Sequence, residues 1–167
     1  MSVASHYDGS ASSYGDQYDP ATLSARYPGL VVRRLLPAEL LQVVQRLLAE
    51  CGAQSVYEFG VGDASPLSTI GASGLRVAGN DVSPEMVKVA QANMQARGLD
   101  PSLITWLDAQ DSTALAAESQ LRGTFDAVMA LGVIPHVADD HAFVEGMDIF
   151  LRPGGRLLLE IRNSMLS

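Results

Sequence analysis

Residues 55–70 read SVYEFGVGDASPLSTI. Ser55 to Phe59 is a short apolar run around one acid, Glu58, and has the length and composition of a strand. Gly60-Val61-Gly62 follows. Ser65-Pro66 then opens a helix, because proline fits the first helical turn without losing a needed N–H. A glycine-rich turn between a strand and a helix lets backbone approach a nucleotide or a nucleotide-like cofactor. Which cofactor tolerates a carboxylate just before the first glycine is the question that the rest of the chain has to answer.

Strand-like and helix-like segments alternate around this turn. Upstream, Leu40, Val43, Val44, Leu47 and Leu48 form an amphipathic helical stripe that closes near Cys51-Gly52. Downstream, LRVAGND (75–81) is a second strand. Ser83-Pro84 opens a helix with Ser83 as its cap, and Gly98 stops it. SLITWL (102–107) and FDAVMAL (125–131) are the third and fourth strands. Asp139 or Asp140 starts a further helix, with Phe143, Val144, Met147 and Leu151 on its inner face. Pro153-Gly154-Gly155 predicts a turn, and RLLLEI (156–161) a fifth strand.

This alternation, with strands aliphatic on both faces, predicts an α/β fold: a Rossmann-like, doubly wound, mostly parallel sheet in a three-layer α/β/α arrangement that ends after the fifth strand. Ligands of such sheets bind at the carboxyl ends of the strands, here just after Phe59, Asp81, Leu107 and Leu131. Residues 37–167 form the domain. Residues 1–36 form a separate N-terminal segment, rich in Ser, Gly, Asp and Tyr near its start. Tyr7, Tyr14 and Tyr18 would share one helical face, so this segment reads either as a tail or as a lid that orders over a ligand.

Composition narrows the partners. The 167 residues are 47% hydrophobic and 18% charged, with net charge −8 and one lysine, Lys88. With no basic run to neutralise phosphates, neither nucleic acid nor an anionic membrane surface is an expected partner. Cys51 is alone, which excludes an internal disulfide and a cysteine-based zinc site. The apolar stretch from Leu30 to Leu48 is broken by charges and Pro37, and cannot span a bilayer. A cytoplasmic protein is the expectation.

Two cofactor types compete for the turn. Gly60 and Gly62 suit a dinucleotide, but the third glycine position of that pattern is Ser65. Glu58 and Asp63 would repel a pyrophosphate, whereas they suit a cofactor whose near end is cationic. S-adenosylmethionine has a sulfonium, an α-ammonium and one carboxylate. The turn's N–H groups would take that carboxylate. Asp81, ending the second strand, would accept both ribose hydroxyls, and Asp108, after the third strand, an adenine amino group.

With these residues assembled, the chain resembles the class I S-adenosylmethionine-dependent methyltransferases, in the group acting on small molecules. The likeness runs from about Ser55 to Ile161 through VYEFGVGDA, VAGNDVSPEMVKVAQ, WLDAQD, FDAVMALGVIPHV and FLRPGGRLLLEI. It implies that Glu58, Gly60 and Gly62 contact the methionine end, that Asp81 holds the ribose, and that Val82 packs on the adenine. Asp108 and the Ala109 backbone would read adenine. Leu131 would offer its carbonyl to the cofactor amine, and Tyr14 would close over the cofactor. The implied activity is in-line methyl transfer from S-adenosylmethionine to a small-molecule acceptor.

The chain departs from that pattern at two places. Ala64 stands where the third family glycine is expected, and alanine resists positive φ. Relatives continue past the fifth strand while this sequence stops at Ser167. The expectation is a truncated piece of a longer chain, the alternative being a reduced variant whose exposed sheet edge is covered by a partner or a second copy.

For an oxygen acceptor, His136 is the candidate base, since it lies in the loop after the fourth strand and titrates near neutrality. Its alternative role is to brace that loop. His136, Asp139, Asp140 and His141 have metal-ligating chemistry, but the aspartates are better explained as helix caps and no metal is expected. Trp106 reads as core or adenine-pocket wall, Asp111 as a helix cap, and Asp126 as a surface charge at a strand start. Met86 and Met94 read as core filling. Asp63 faces either the cofactor or the helix N-terminus. The rival readings are an NAD-dependent oxidoreductase and a non-catalytic cofactor-binding subunit.

Overall fold

The computed structural model describes residues 37–161. Its elements run α1 (Pro37–Glu50), β1 (Ser55–Phe59), α2 (Ser65–Ala72), β2 (Arg76–Asp81), α3 (Pro84–Ala96), β3 (Ile104–Trp106), α4 (Ser112–Ala117), β4 (Phe125–Ala130), α5 (Asp140–Asp148) and β5 (Leu151–Leu159). The five strands form one sheet in the order β3-β2-β1-β4-β5, and every pairing is parallel. The order reverses between β1 and β4, which opens a crevice at their carboxyl ends.

Side-chain alternation explains the layers. All five residues of β1 are buried, so it is covered on both faces. Val56 packs with Val44 and Leu48 of α1, Leu67 and Ile70 of α2, and Ala90 and Met94 of α3. Tyr57 and Phe59 point the other way, toward Leu115 of α4 and Phe143 and Met147 of α5. That second half of the core is aromatic: Tyr57 lies with its ring 4.9 Å from Phe59, 5.2 Å from Phe125 and 4.7 Å from Phe150. The predicted three-layer fold is the observed one.

Local signals placed most of the helix starts. Ser83 accepts from the Met86 N–H, with Pro84 behind it in the first turn. Asp111 accepts from Thr113 and Ala114, and Asp139 from Ala142.

Three expectations change. Leu151 does not belong to the inner face of α5; the helix ends at Asp148 and Leu151 opens β5, opposite Phe125. Pro153-Gly154-Gly155 is not a turn between elements but an irregularity inside β5. The pairing jumps from Phe125↔Leu151 to Ala127↔Arg156, with Gly154 at φ +78° absorbing the extra chain. Asp126 is not simply a surface charge. It accepts from the Gln54 N–H at 2.8 Å and the Ser55 hydroxyl at 2.9 Å, and it pairs with Arg152, so it ties β1, β4 and β5 together at the end of the sheet away from the crevice.

Candidate functional site

The glycine turn is shaped by close approach. Gly60 adopts φ +68°, and a Cβ placed on it would stand 2.5 Å from Val133 Cγ2, in the loop after β4. Gly79 of β2 is equally constrained: a Cβ there would stand 2.4 Å from Val61 Cγ1 and 2.7 Å from the Glu58 carbonyl. The side chains of Val133 and Val61 therefore pack directly on glycine backbone here. Ala64 holds φ +57° despite its methyl group and is fully buried, so alanine fills the left-handed position where a glycine is expected.

Four N–H groups of this turn are already engaged. Val61 donates to the Asn80 carbonyl, Gly62 to Asp81 Oδ2 at 2.9 Å, and Ala64 to the Val61 carbonyl. The Ser65 N–H donates to Asp63 Oδ1. The expectation that the turn's N–H groups bind the cofactor carboxylate therefore fails at these four positions. A pyrophosphate would lack them too.

Three buried carboxylates ring the turn instead. Asp63 accepts the Ser65 N–H at 2.9 Å and its hydroxyl at 2.8 Å, and so serves the start of α2. Asp81 accepts Gly62 with one oxygen and Ser83 with the other, both at 2.9 Å. A carboxylate oxygen can accept more than one donor, which is how a diol could join these contacts. Glu58 differs from both. It is 2% exposed, and its Oε2 is buried with no hydrogen-bond partner. Burial raises its pKa well above the ordinary carboxylate value, and the negative charges of Asp63 and Asp81 raise it further.

The adjoining loops complete the crevice. Asp108 is half-buried and accepts the Gln110 N–H at 2.9 Å. Ala109, Val82 and Leu131 are half-buried as well. Trp106 is not core: it is 57% exposed on the edge strand, and its indole N–H donates to the Val82 carbonyl at 2.9 Å. Two contributors escaped sequence reasoning. Gln110 Oε1 accepts the Ala138 N–H at 2.7 Å, linking the loop after β3 to the approach to α5. Beside that link lies a cleft of about 360 Å³, lined by Ser112, Leu115, Phe143 and Gly146 among others. Glu160, after β5, reaches back toward Gly132, its Oε2 3.7 Å from where a Cβ on that glycine would be. Both lie within the matching stretches WLDAQD and FLRPGGRLLLEI, but their contacts depend on chain that is distant in sequence.

His136 closes a short 3-10 turn, Ile134–His136, and is exposed. His136, Asp139, Asp140 and His141 do not converge. Asp139 caps α5, while His141 stands 3.5 Å from Glu145. Among the described residues no group of three or more His, Cys, Asp or Glu side chains is placed to hold a metal. Tyr14 and the lid expectation lie outside the described residues.

A glycine turn with four of its N–H groups engaged, ringed by buried acids, fits a cationic nucleoside better than a pyrophosphate. Comparison with known proteins agrees. The methyltransferase domain family matches residues 57–159, more than half of the chain. The chain belongs to that family. Over 136 residues this methyltransferase domain is 32% identical to a ubiquinone biosynthesis O-methyltransferase of Xanthomonas oryzae pv. oryzae (strain PXO99A), covering 81% of this chain and 54% of the relative. The chain thus spans about half the length of the curated relatives it matches.

Solved structures share the fold. A SAM-dependent methyltransferase from Geobacter sulfurreducens, in complex with S-adenosyl-L-homocysteine, superposes with TM-score 0.58 at 18% identity, covering 84% of this chain and 55% of that one. The StiE O-MT (residues 961–1257) superposes with TM-score 0.60 at 24% identity, covering 74% and 43%. No described helix is long and apolar enough to cross a membrane.

Proposed function

We propose that this methyltransferase domain binds S-adenosylmethionine at the tips of β1, β2 and β3 and serves methyl transfer to a small-molecule acceptor. The observation that carries the reading is the set of three buried carboxylates around the glycine turn, one of them without an internal partner. When bound, the cofactor supplies an activated methyl group on a cationic sulfur.

The chain's own residues bind and orient. Glu58 offers negative charge to the methionine end. Asp81, fixed by Gly62 and Ser83, presents its carboxylate to the ribose. Asp108, with the Ala109 backbone, faces the adenine edge, and Val82, held by Trp106, forms a wall of that pocket. The Leu131 carbonyl is available to an amine. Displacement at a sulfonium needs alignment and exclusion of water more than acid–base help. For a hydroxyl acceptor, of the kind named for the curated relatives, His136 would take the proton. The acceptor and any element covering the β5 edge, whether a partner or a second copy, belong to this proposal.

Thermal shift tests the reading. S-adenosylhomocysteine is expected to stabilise the domain and NAD to leave it unchanged. Stabilisation by NAD alone would replace this reading with the oxidoreductase one.

A further inference from the structure

Within the crevice, Asp63 and Asp81 each have both carboxylate oxygens occupied by donors from the chain, and Glu58 does not. Among the described residues, no element packed against Glu58 supplies a cation in compensation. The turn after β1 brings Asp63, and β2 brings Asp81. The residue opposite Glu58 on β4 is Met129. On α3, Lys88 is 68% exposed and ion-paired with Glu85. On α1, Arg46 and Glu50 pair with each other at the surface. Glu160 lies beside Gly132.

A lone ionised carboxylate in such a place costs several kcal/mol of lost hydration, and two neighbouring anions add to the cost. The group avoids that cost by keeping its proton.

We propose that Glu58 is protonated in the empty cleft and releases its proton to solvent when a cationic ligand seats beside it, so that cofactor uptake is coupled to loss of one proton. The inference rests on the S-adenosylmethionine reading above. The ligand's positive end provides the counter-charge that the fold withholds. The proton passes to the buffer, leaving a carboxylate paired with the ligand cation and no other bond changed. Glu58 thereby becomes a charge-sensing residue, admitting cations at the methionine end and leaving neutral ligands facing a neutral acid.

Two measurements test this separately. The first is calorimetry of S-adenosylmethionine and S-adenosylhomocysteine binding at pH 7, in phosphate and in Tris, whose ionisation enthalpies differ. Wild type is expected to release close to one proton per ligand, and affinity to rise with pH by up to about tenfold per unit while the empty-state group remains protonated. Glu58→Gln is expected to bind more weakly and to release none. Tight binding by wild type without proton release would overturn the proposal.

The second measurement needs no ligand: urea unfolding of wild type and Glu58→Gln from pH 5 to pH 8. A carboxyl that holds its proton more tightly when folded loses stability as pH rises above its unfolded value. Wild type should therefore lose ground to Glu58→Gln across this range. Parallel curves would overturn the proposal. Diverging curves with no heat from either compound at any pH would overturn the cofactor reading and the coupling while leaving the neutral buried acid in place.

Discussion

Asp81 Oδ2 accepts the Gly62 N–H at 2.9 Å, joining the tip of β2 to the glycine turn that leaves β1. The same carboxylate accepts the Ser83 N–H and so also fixes the entry to α3. One side chain thus sets the shape of the turn and offers lone pairs to whatever lies above it. Asp81→Asn keeps the volume but points an amide N–H₂ at one of those two backbone donors. Cofactor affinity is expected to fall about 10- to 100-fold, the equivalent of losing a charged hydrogen bond worth about 1.5–3 kcal/mol. Titration calorimetry with S-adenosylhomocysteine reads this directly, and an unchanged affinity would remove Asp81 from the site.

Gly60→Ala is expected to destabilise the domain by about 1–3 kcal/mol, from positive φ and from overlap with Val133. Val133→Ala on the same chain should recover part of that loss, because it removes the overlap and leaves the backbone strain. Denaturant midpoints of the four variants measure the coupling. Strict additivity would mean that the turn and the β4 loop do not meet as described.

Partial burial pushes the Asp126 carboxyl up, but the Gln54 N–H, the Ser55 hydroxyl and Arg152 outweigh it and hold the pKa below the ordinary value. A depressed pKa contributes stability that is present above about pH 4, the unfolded value, and is lost as pH falls through the folded one. Asp126→Asn should therefore be less stable than wild type at neutral pH, by about 1–2 kcal/mol. The two should converge in acid. A gap that persisted at pH 2 would point to packing rather than charge.

Gln110→Ala removes the 2.7 Å bond to the Ala138 N–H and frees the loop that carries Asp108 and Ala109. With the contact exposed, the expected cost is small, about a two- to fivefold loss of S-adenosylhomocysteine affinity with little change in melting temperature. A large drop in stability with unchanged affinity would make the residue a scaffold element only.

Much of this molecule was legible because its signals are local. Each strand carries a run of aliphatic or aromatic residues, Ser83 and Asp111 cap as their positions suggest, and the acid-glycine turn separates two cofactor chemistries by charge. What escaped the sequence depends on distant chain meeting in space. The engagement of the turn's N–H groups requires Asp81 to reach back to Gly62. The role of Asp126 requires Gln54, Ser55 and Arg152 to converge on it. Pro153-Gly154-Gly155 reads as a turn in isolation, and only pairing with β4 holds it within a strand. Trp106 looks like core by composition, yet edge strand β3 leaves it exposed.

That exposed indole has a practical consequence. Trp106 is the sole tryptophan of the chain, and it is hydrogen-bonded to Val82, the residue after Asp81. The domain thus contains its own fluorophore one contact away from the residue proposed to wall the adenine. Emission colour and quenching should follow occupancy of the crevice in the unlabelled protein, in real time and at micromolar concentration.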